Sequence, residues 1–225
     1  METLKNLDGY QLQWGELSMQ LLPEKAIYLD EFRSILIADP HFGKAAHFRK
    51  AGIPVSEKLH IGDLMTIQRL IQKYNPEHLY FLGDLFHSDW NIAWNDLETF
   101  AEYHPETNFH LIKGNHDILP EEVYRSDIWQ VHTERLDLGQ MILSHEPLAN
   151  IPPEKINLCG HIHPGISLYG TARQKLTLPC FFVSTNQIIL PAFGRFTGLY
   201  TMKCGKNDNA YVIAEKKVIP VNFHD

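Results

Sequence analysis

The sequence predicts an α/β fold in which two packed mixed β-sheets are flanked by helices. Three observations carry this expectation. In the first half, apolar runs stop abruptly at polar residues and alternate with amphipathic helical stretches. In the second half, short strand-like runs crowd together with few helices between them. Between the halves there is no repeat, low-complexity tract or long linker, so residues 1–225 are expected to form a single domain. Two stacked sheets with outer helices reconcile an α/β beginning with a β-rich end.

The elements follow in order. "LSMQLLPEKAIYLDEFRSILIAD" reads as short strands broken by the turn-formers "PEK" and "DEF". The run Ile35–Ala38 is apolar without alternation, as in a strand covered on both faces. Pro54–Tyr74 spaces Leu59, Leu64, Ile67, Leu70 and Ile71 for an amphipathic helix, with Ser56 as its cap. "HLYFLGD" is a strand ending in Gly-Asp, Ile92–Tyr103 is helical, and "NFHLIKGNHD" is a third strand. Trp90 and Trp94, four residues apart, read as a packing stripe rather than as a platform for bases. Short strands then follow in "IWQVH", "ERLDLG", "MILSHE", "INLCGHIH", "ISLYG", "KLTLPCFFVS", "QIILPAFG" and "NAYVIAEKKVIPV".

The charge balance narrows the function classes. A formal net charge of −7 argues against coating duplex DNA by overall charge, so any nucleic-acid contact has to be a local basic patch. No stretch approaches the roughly 20 apolar residues of a membrane span. The N-terminus lacks a basic start followed by an apolar run, so no secretory signal is expected. Cys159, Cys180 and Cys204 are widely spaced without a CxxC pair, which fits buried thiols in a reducing, cytoplasmic compartment.

Thirteen histidines are the unusual count, and their spacing gives them meaning. Apolar runs end in metal-type ligands at "LIADPH" (Asp39, His41), "YFLGD" (Asp84), "LIKGNHD" (Asn115, His116, Asp117), "ILSHE" (His145) and "LCGHIH" (His161, His163). Ligands gather at the carboxyl ends of strands in open α/β sheets, so these segments can converge although they span more than half the chain. Residues i and i+2 of an extended segment point the same way, so Asp-x-His and His-x-His each offer two groups. Glycines before Asp84, Asn115 and His161 permit close backbone approach. Carboxylate, amide oxygen and imidazole together suit Mn, Fe, Co or Zn rather than a thiolate-bound structural zinc. Two such ions suit hydrolysis of a phosphate ester, with Asp84 as the natural bridge.

In this order, "DPH … GD … GNHD … H … GHIH" resembles the calcineurin-like metallophosphoesterases across most of the chain. The resemblance implies a four-layer α/β/β/α sandwich around a binuclear metal centre. It implies Asp39, His41 and His163 on one metal, Asn115, His145 and His161 on the other, and Asp84 shared. It also implies that His116 is a general acid or transition-state stabiliser whose ring Asp117 holds. The longer motifs "ADPHFGKAAHFRKAGIPV", "FLGDLFHS" and "LPAFGRFTG" look like the bacterial ligase-associated DNA-damage-response phosphoesterases. That subfamily is regarded as manganese-dependent DNA endonucleases associated with a helicase, an ATP-dependent DNA ligase and an exonuclease. The likeness therefore implies two Mn²⁺ ions, a DNA substrate that is single-stranded or looped, and a place in DNA repair.

Outside the ligand set, Lys44, His47 and Arg49 are the best local candidates for holding the phosphates of a strand on an acidic chain. They also read as a solvated basic helix start. His87 is equally a substrate contact or a surface-loop histidine. Small nucleotides remain open as substrates. A nucleotide-linked lipid would call for an apolar lid after "GNHD", where this chain has a short, mixed and charged connector. A non-catalytic scaffold would typically have lost ligands that are all present here.

Overall fold

The computed structural model describes residues 9–50, 52, 56, 59–87, 90–124, 127–171, 174–195 and 197–221; of Leu59, Lys50 and His47 it describes the backbone alone. The first sheet runs in spatial order through β1 (Tyr10–Trp14), β2 (Leu17–Leu22), β3 (Ala26–Leu29), β4 (Ser34–Ile37), β5 (His78–Leu82), β6 (Asn108–Ile112) and β7 (Trp129–His132). β1 to β4 pair antiparallel, turning at "PEK" and "DEF" as the sequence predicts. β4 to β7 pair parallel. Parallel neighbours need crossovers, which here contain α1 (Lys44–Lys50), α2 (Leu59–Tyr74), α3 (Ile92–Glu102) and a 3₁₀ turn at Glu121–Tyr124. The carboxyl ends of β4, β5 and β6 therefore lie along one edge of the sheet. The first turn expected for the helix from Pro54 falls mostly on residues outside the described set.

Strand alternation assigns the two faces. Ile35, Ile37, Leu79, Phe81, Phe109 and Leu111 pack under Leu64, Ile67 and Leu70 of α2 and Ala93, Trp94 and Leu97 of α3. Leu36, Tyr80, Leu82 and Ile112 face the second sheet. Each fully buried Leu, Ile or Phe contributes roughly 1.5–3 kcal/mol relative to exposure. Helix α3 starts at Asn91, whose side chain accepts the Ala93 N–H at 3.1 Å, a normal N-cap. The expected tryptophan stripe does not form. Trp94 is buried against Phe86, Tyr124 and Trp129, whereas Trp90 precedes the helix and is exposed.

The second sheet comprises β8 (Arg135–Leu138), β9 (Met141–Ser144), β10 (Ile156–Cys159), β11 (Pro164–Tyr169), β12 (Lys175–Val183), β13 (Gln187–Ile189), β14 (Tyr200–Thr201), β15 (Asn209–Ala214) and β16 (Lys217–Val221). Its order is β14-β11-β12-β13-β10-β9-β8, with β15 and β16 added against β12. β10 is parallel to both β9 and β13, and β11 is parallel to β14, while the other pairs are antiparallel, so this sheet is mixed. Its inner residues, among them Met141, Leu143, Leu158, Phe181 and Ile213, close the core between the sheets.

The α/β class and the two packed mixed sheets are as the sequence predicts. The helical cover is uneven: among the described residues, the buried cluster on the far face of the second sheet is built by strand and loop residues such as Ile166, Cys180, Phe182 and Val212. "NAYVIAEKKVIPV" is a hairpin, β15–β16, rather than one strand; Glu215 turns at φ 54° without a glycine, asparagine or proline to mark it. The three cysteines are free, Cys159 and Cys180 being buried. Among the described residues no helix is long and apolar enough to cross a membrane.

One histidine row on the first sheet is structural. His78 Nδ1 lies 2.9 Å from His110 Nε2, His110 Nδ1 lies 3.4 Å from His132 Nε2, and Tyr80 stacks on His110. Burial, aided by His78 and His132, pushes His110 down to about 4. The unfolded chain, with histidine near 6.5, then binds more protons than the native one between those values. The neutral ring's stabilisation is complete above about pH 6.5 and declines as pH falls toward about 4. Tm measured from pH 7 to pH 4.5 is expected to drop more steeply for wild type than for His110→Gln; parallel curves would remove this role.

Candidate metal centre

The carboxyl ends of β4 and β5 leave their sheet together. His41 N–H donates to the Asp84 carbonyl at 3.0 Å, Phe42 N–H to Leu85 at 2.9 Å, and His87 N–H to Phe42 at 2.8 Å. Phe42 and Phe86 are buried, so both loops are anchored in core as they pass the site. At these ends the backbone bends into the left-handed region at Asp39 (φ 51°), His41 (φ 50°), Asp84 (φ 50°), His161 (φ 68°) and His163 (φ 53°). Such conformations cost of order 1–3 kcal/mol each outside glycine and cluster at functional sites. Five of the seven candidate ligands adopt them.

The side chains converge on two groups. Ligand atoms of Asp39, His41 and His163 lie within 4.8 Å of one another, as do those of Asp39, Asp84 and His145. His41 Nε2 is 3.4 Å from His163 Nε2 and 3.8 Å from Asp84 Oδ2. Asp39 Oδ1 is 3.7 Å from His163 Nε2 and 3.7 Å from His145 Nδ1. Around His145 Nε2 stand Asn115 Oδ1 at 3.0 Å, His161 Nδ1 at 3.0 Å and Asp84 Oδ1 at 3.4 Å. Asp39 thus belongs to both groups, whereas the sequence singles out Asp84 as the shared carboxylate.

Protonation suits a cation. His145 Nδ1 faces the Leu82 carbonyl at 3.1 Å, and donating there leaves Nε2 as a lone pair turned toward Asn115 and Asp84. Burial, reinforced by Lys44 and by His163, His87 and His116, pushes His41 down to about 2, so its ring is neutral. Asp39 is fully buried with Oδ1 lacking any hydrogen-bond partner, and His41 Nδ1 is likewise unpartnered. A buried carboxylate oxygen without a hydrogen-bond partner is costly unless a positive ion lies beside it. The residues fit divalent metal on that ground.

The second layer holds this arrangement. Asp84 Oδ1 accepts the His116 N–H at 2.9 Å, and Asp39 Oδ2 accepts the His161 N–H at 2.9 Å. Asn157, fully buried on β10, receives Leu148 N–H and Gln187 Nε2 on its oxygen and donates to Ile142 C=O and Ser144 Oγ. Its four hydrogen-bonding positions are filled, which fixes the strand end that carries His145. The close approaches expected of the glycines are present. A Cβ at Gly83 would sit 2.1 Å from His145 Nδ1, at Gly114 2.4 Å from Asp84 Oδ1, and at Gly160 2.5 Å from Asp39 Oδ2.

Asp117 does something other than hold the His116 ring. Its oxygens accept the N–H groups of Phe86 at 3.0 Å and Gly114 at 2.8 Å, clamping the loop after β5 to the loop after β6. Burial pushes this carboxyl up to about 7 against the pull of those two N–H groups. His116 instead packs against His87, with ring centroids 4.2 Å apart, and His41 is 5.2 Å from His87. His87 therefore lies in the site rather than on a remote loop. Lys44 is half-buried at the start of α1, and burial lowers its pKa. Arg49 lies further along α1, and the His47 side chain is outside the described residues. Asp63 and Arg195, which belong to none of the ligand motifs in the sequence, line a cleft with His41 and Lys44. A glycine and an aspartate inside an amphipathic helix, Gly62-Asp63, were the available signal.

A single methyl at residue 83 has to displace His145. Gly83→Ala is expected to lose metal measured per chain by elemental analysis while far-UV circular dichroism stays native. Unchanged metal content would show that His145 can move without consequence.

Comparison with known proteins follows the same division. The crystal structure of the Pseudomonas putida nuclease MPE is similar at a TM-score of 0.79 and 29% identity, covering 95% of this chain and all of that one. The phosphoesterase YfcE of E. coli is a weaker likeness, with a TM-score of 0.45 and 12% identity over 84% of this chain and 97% of that one. No curated protein matches. A model of the calcineurin-like phosphoesterases matches residues 32–176, from the turn before β4 into β12, and takes in every strand end described above. With its strand ends and that match in agreement, the chain belongs to the calcineurin-like phosphoesterase family, whose members are phosphoester hydrolases that use divalent metals.

Proposed function

We propose that this phosphoesterase is a DNA endonuclease acting on single-stranded or looped DNA with two Mn²⁺ ions, for which Fe, Co or Zn can stand in. The observation that carries the hydrolytic reading is the gathering of amide, carboxylate and imidazole ligand atoms around His145 Nε2, with Asn115 Oδ1 at 3.0 Å, His161 Nδ1 at 3.0 Å and Asp84 Oδ1 at 3.4 Å. The choice of nucleic acid is supported by the 29% identity to a nuclease over nearly the whole chain. In this reading Asp39, His41 and His163 hold one ion, Asn115, His145 and His161 the other, and Asp84 both. Asp39 stands close enough to His145 to influence the second ion as well.

When bound, the ions supply Lewis acidity to the phosphate oxygens and lower the pKa of a water. The chain's residues do the rest. Buried carboxylates and imidazoles fix where the phosphate sits, and the Leu82 carbonyl orients the His145 ring through Nδ1. His116 protonates or stabilises the leaving oxygen, with its backbone tied to Asp84 and its ring backed by His87. Asp117 acts at one remove by clamping the two loops that carry Asp84 and His116. The chain works as one domain over residues 1–225, in the cytoplasm and in DNA repair, beside a helicase, an ATP-dependent DNA ligase and an exonuclease. Those last assignments rest on the motifs shared with the ligase-associated phosphoesterases.

Purified protein incubated with Mn²⁺ is expected to cut single strands and hairpin loops ahead of blunt duplex, and Asp84→Ala to cut none of them. Turnover of a small chromogenic diester alone would reject DNA as the substrate. His116→Ala is expected to lose roughly 10²–10⁴-fold on DNA, whose leaving group is a poor alkoxide, and far less on a phenolate ester. Equal losses on both would assign His116 to electrostatic stabilisation.

A further inference from the structure

We propose that Arg195 and Lys44 form a phosphate-holding subsite beside His41 that takes a phosphate adjoining the scissile one in a single-stranded polynucleotide. The inference rests on the nuclease reading above and adds to it the residues that hold the strand. It starts from a cleft lined by His41, Lys44, His60, Asp63, Arg195 and Thr197, so one wall is a candidate metal ligand and two others are cations.

Arg195 is built into place rather than left to solvent. Its Nε lies 3.2 Å from Asp63 Oδ1, its Nη2 donates to the Gly62 carbonyl at 3.3 Å, and Asp63 also accepts the Arg195 backbone N–H. The guanidinium lies so close over α2 that a Cβ at Gly62 would sit 2.9–3.1 Å from its atoms. A glycine in a helix interior costs about 1 kcal/mol relative to alanine, and here it admits the flat face of the arginine. The loop carrying Arg195 is fixed to the metal-site strand: Phe193 N–H donates to the Ala38 carbonyl at 2.8 Å and Gly194 N–H to the Asp39 carbonyl at 3.2 Å. Gly194 lies against Pro40, where a Cβ would be 2.4 Å from the carbonyl oxygen.

The charge arithmetic favours an anion. Asp63 is buried and faces two cations, Arg195 and Lys25, and Lys25 is itself committed to the Ala192 carbonyl at 2.9 Å. Arg195 keeps 55% of its side chain exposed, so the fork held by Asp63 and Gly62 still presents an edge to solvent. Lys44 adds a second positive group across the cleft. His60, the remaining titratable wall, is turned to Asp96 at 2.7 Å. A planar guanidinium held from behind by a carboxylate and a carbonyl is pre-oriented for a phosphate oxygen pair. A small diester carries one phosphate, whereas a strand carries further phosphates that such a cleft can hold.

The test compares wild type, Arg195→Ala, Asp63→Asn and their double variant. Binding of a fluorescein-labelled single-stranded oligodeoxynucleotide is followed by anisotropy across a salt series. Turnover of bis(p-nitrophenyl) phosphate reports the chemistry separately. Arg195→Ala is expected to weaken oligonucleotide binding about tenfold and to make the slope of log K against log[salt] shallower by about 0.7, one phosphate contact on a single strand. Diester turnover stays at the wild-type level. Asp63→Asn is expected to weaken binding in the wild-type background and to add nothing once Arg195 is gone, as a positioning residue would. An unchanged salt slope in Arg195→Ala, or an equal fall on the small diester, overturns the subsite. If wild type cleaves DNA and Arg195→Ala binds it equally well, the subsite falls and the nuclease reading stands. If wild type neither binds nor cleaves the oligonucleotide while hydrolysing the diester, the nuclease reading falls and takes the subsite with it.

Discussion

A carboxylate without exposure and with one oxygen unpartnered organises this molecule. Asp39 sits at the end of β4 with Oδ2 held by the His161 N–H and Oδ1 facing only imidazole nitrogens. Burying a charge in this way costs several kcal/mol unless a positive partner offsets it. Among the nearest groups, His41 is held neutral by burial, and His145 Nδ1 is turned to the Leu82 carbonyl at 3.1 Å. The site is therefore electrostatically incomplete by itself, and a divalent ion is the natural completion. The left-handed backbone at five strand-end residues is a further cost on the same side of the balance.

The rest of the fold bears those costs by rigidity. Phe42 and Phe86 carry the loops of β4 and β5 down into the layer beneath α2 and α3, where Trp94 packs on Phe86. Asp117 ties the next loop to the same place through backbone N–H groups, and Asn157 does so for β9 from the other sheet. Glycines occur where one loop must pass within contact of another's ligand. Gly83 touches His145 and Gly160 touches Asp39, so residues on different sheets interlock across the gap between them. Close packing makes such a junction discrete rather than adjustable.

Much of this was legible in the sequence because local pattern and chemistry coincide at strand ends. An apolar run that breaks at Asp-Pro-His or Gly-Asp announces both where the strand stops and what it carries. The relations that pattern could not show are those that depend on which atoms face each other after folding. Asp39 reaches both ligand groups because β4 is central to its sheet and its carboxylate points across the gap, which no spacing encodes. Asp117 was expected to orient its neighbour His116, yet its oxygens accept the backbone N–H groups of Phe86 and Gly114. The β15–β16 turn was missed since Glu215-Lys216 has no turn-forming residue. On the far face of the second sheet the described strands and loops bury their own apolar residues, a packing that no periodicity announces.

The acidic chain and its basic cleft are consistent rather than opposed. A net charge of −7 repels polyanions from most of the surface, which leaves approach to be governed by the few places where positive charge is concentrated. Lys44 and Arg195 stand in one such place, the first half-buried and the second buttressed by Asp63. The same geometry couples binding to chemistry. Arg195 belongs to the loop whose N–H groups hold the Ala38 and Asp39 carbonyls, and Lys44 begins the helix that follows His41. A strand drawn into the cleft by its phosphates is delivered along backbone that already ends in ligands. Discrimination between a polynucleotide and a small ester can therefore arise without any contact to a base, because only the polynucleotide carries a second phosphate for the guanidinium to hold.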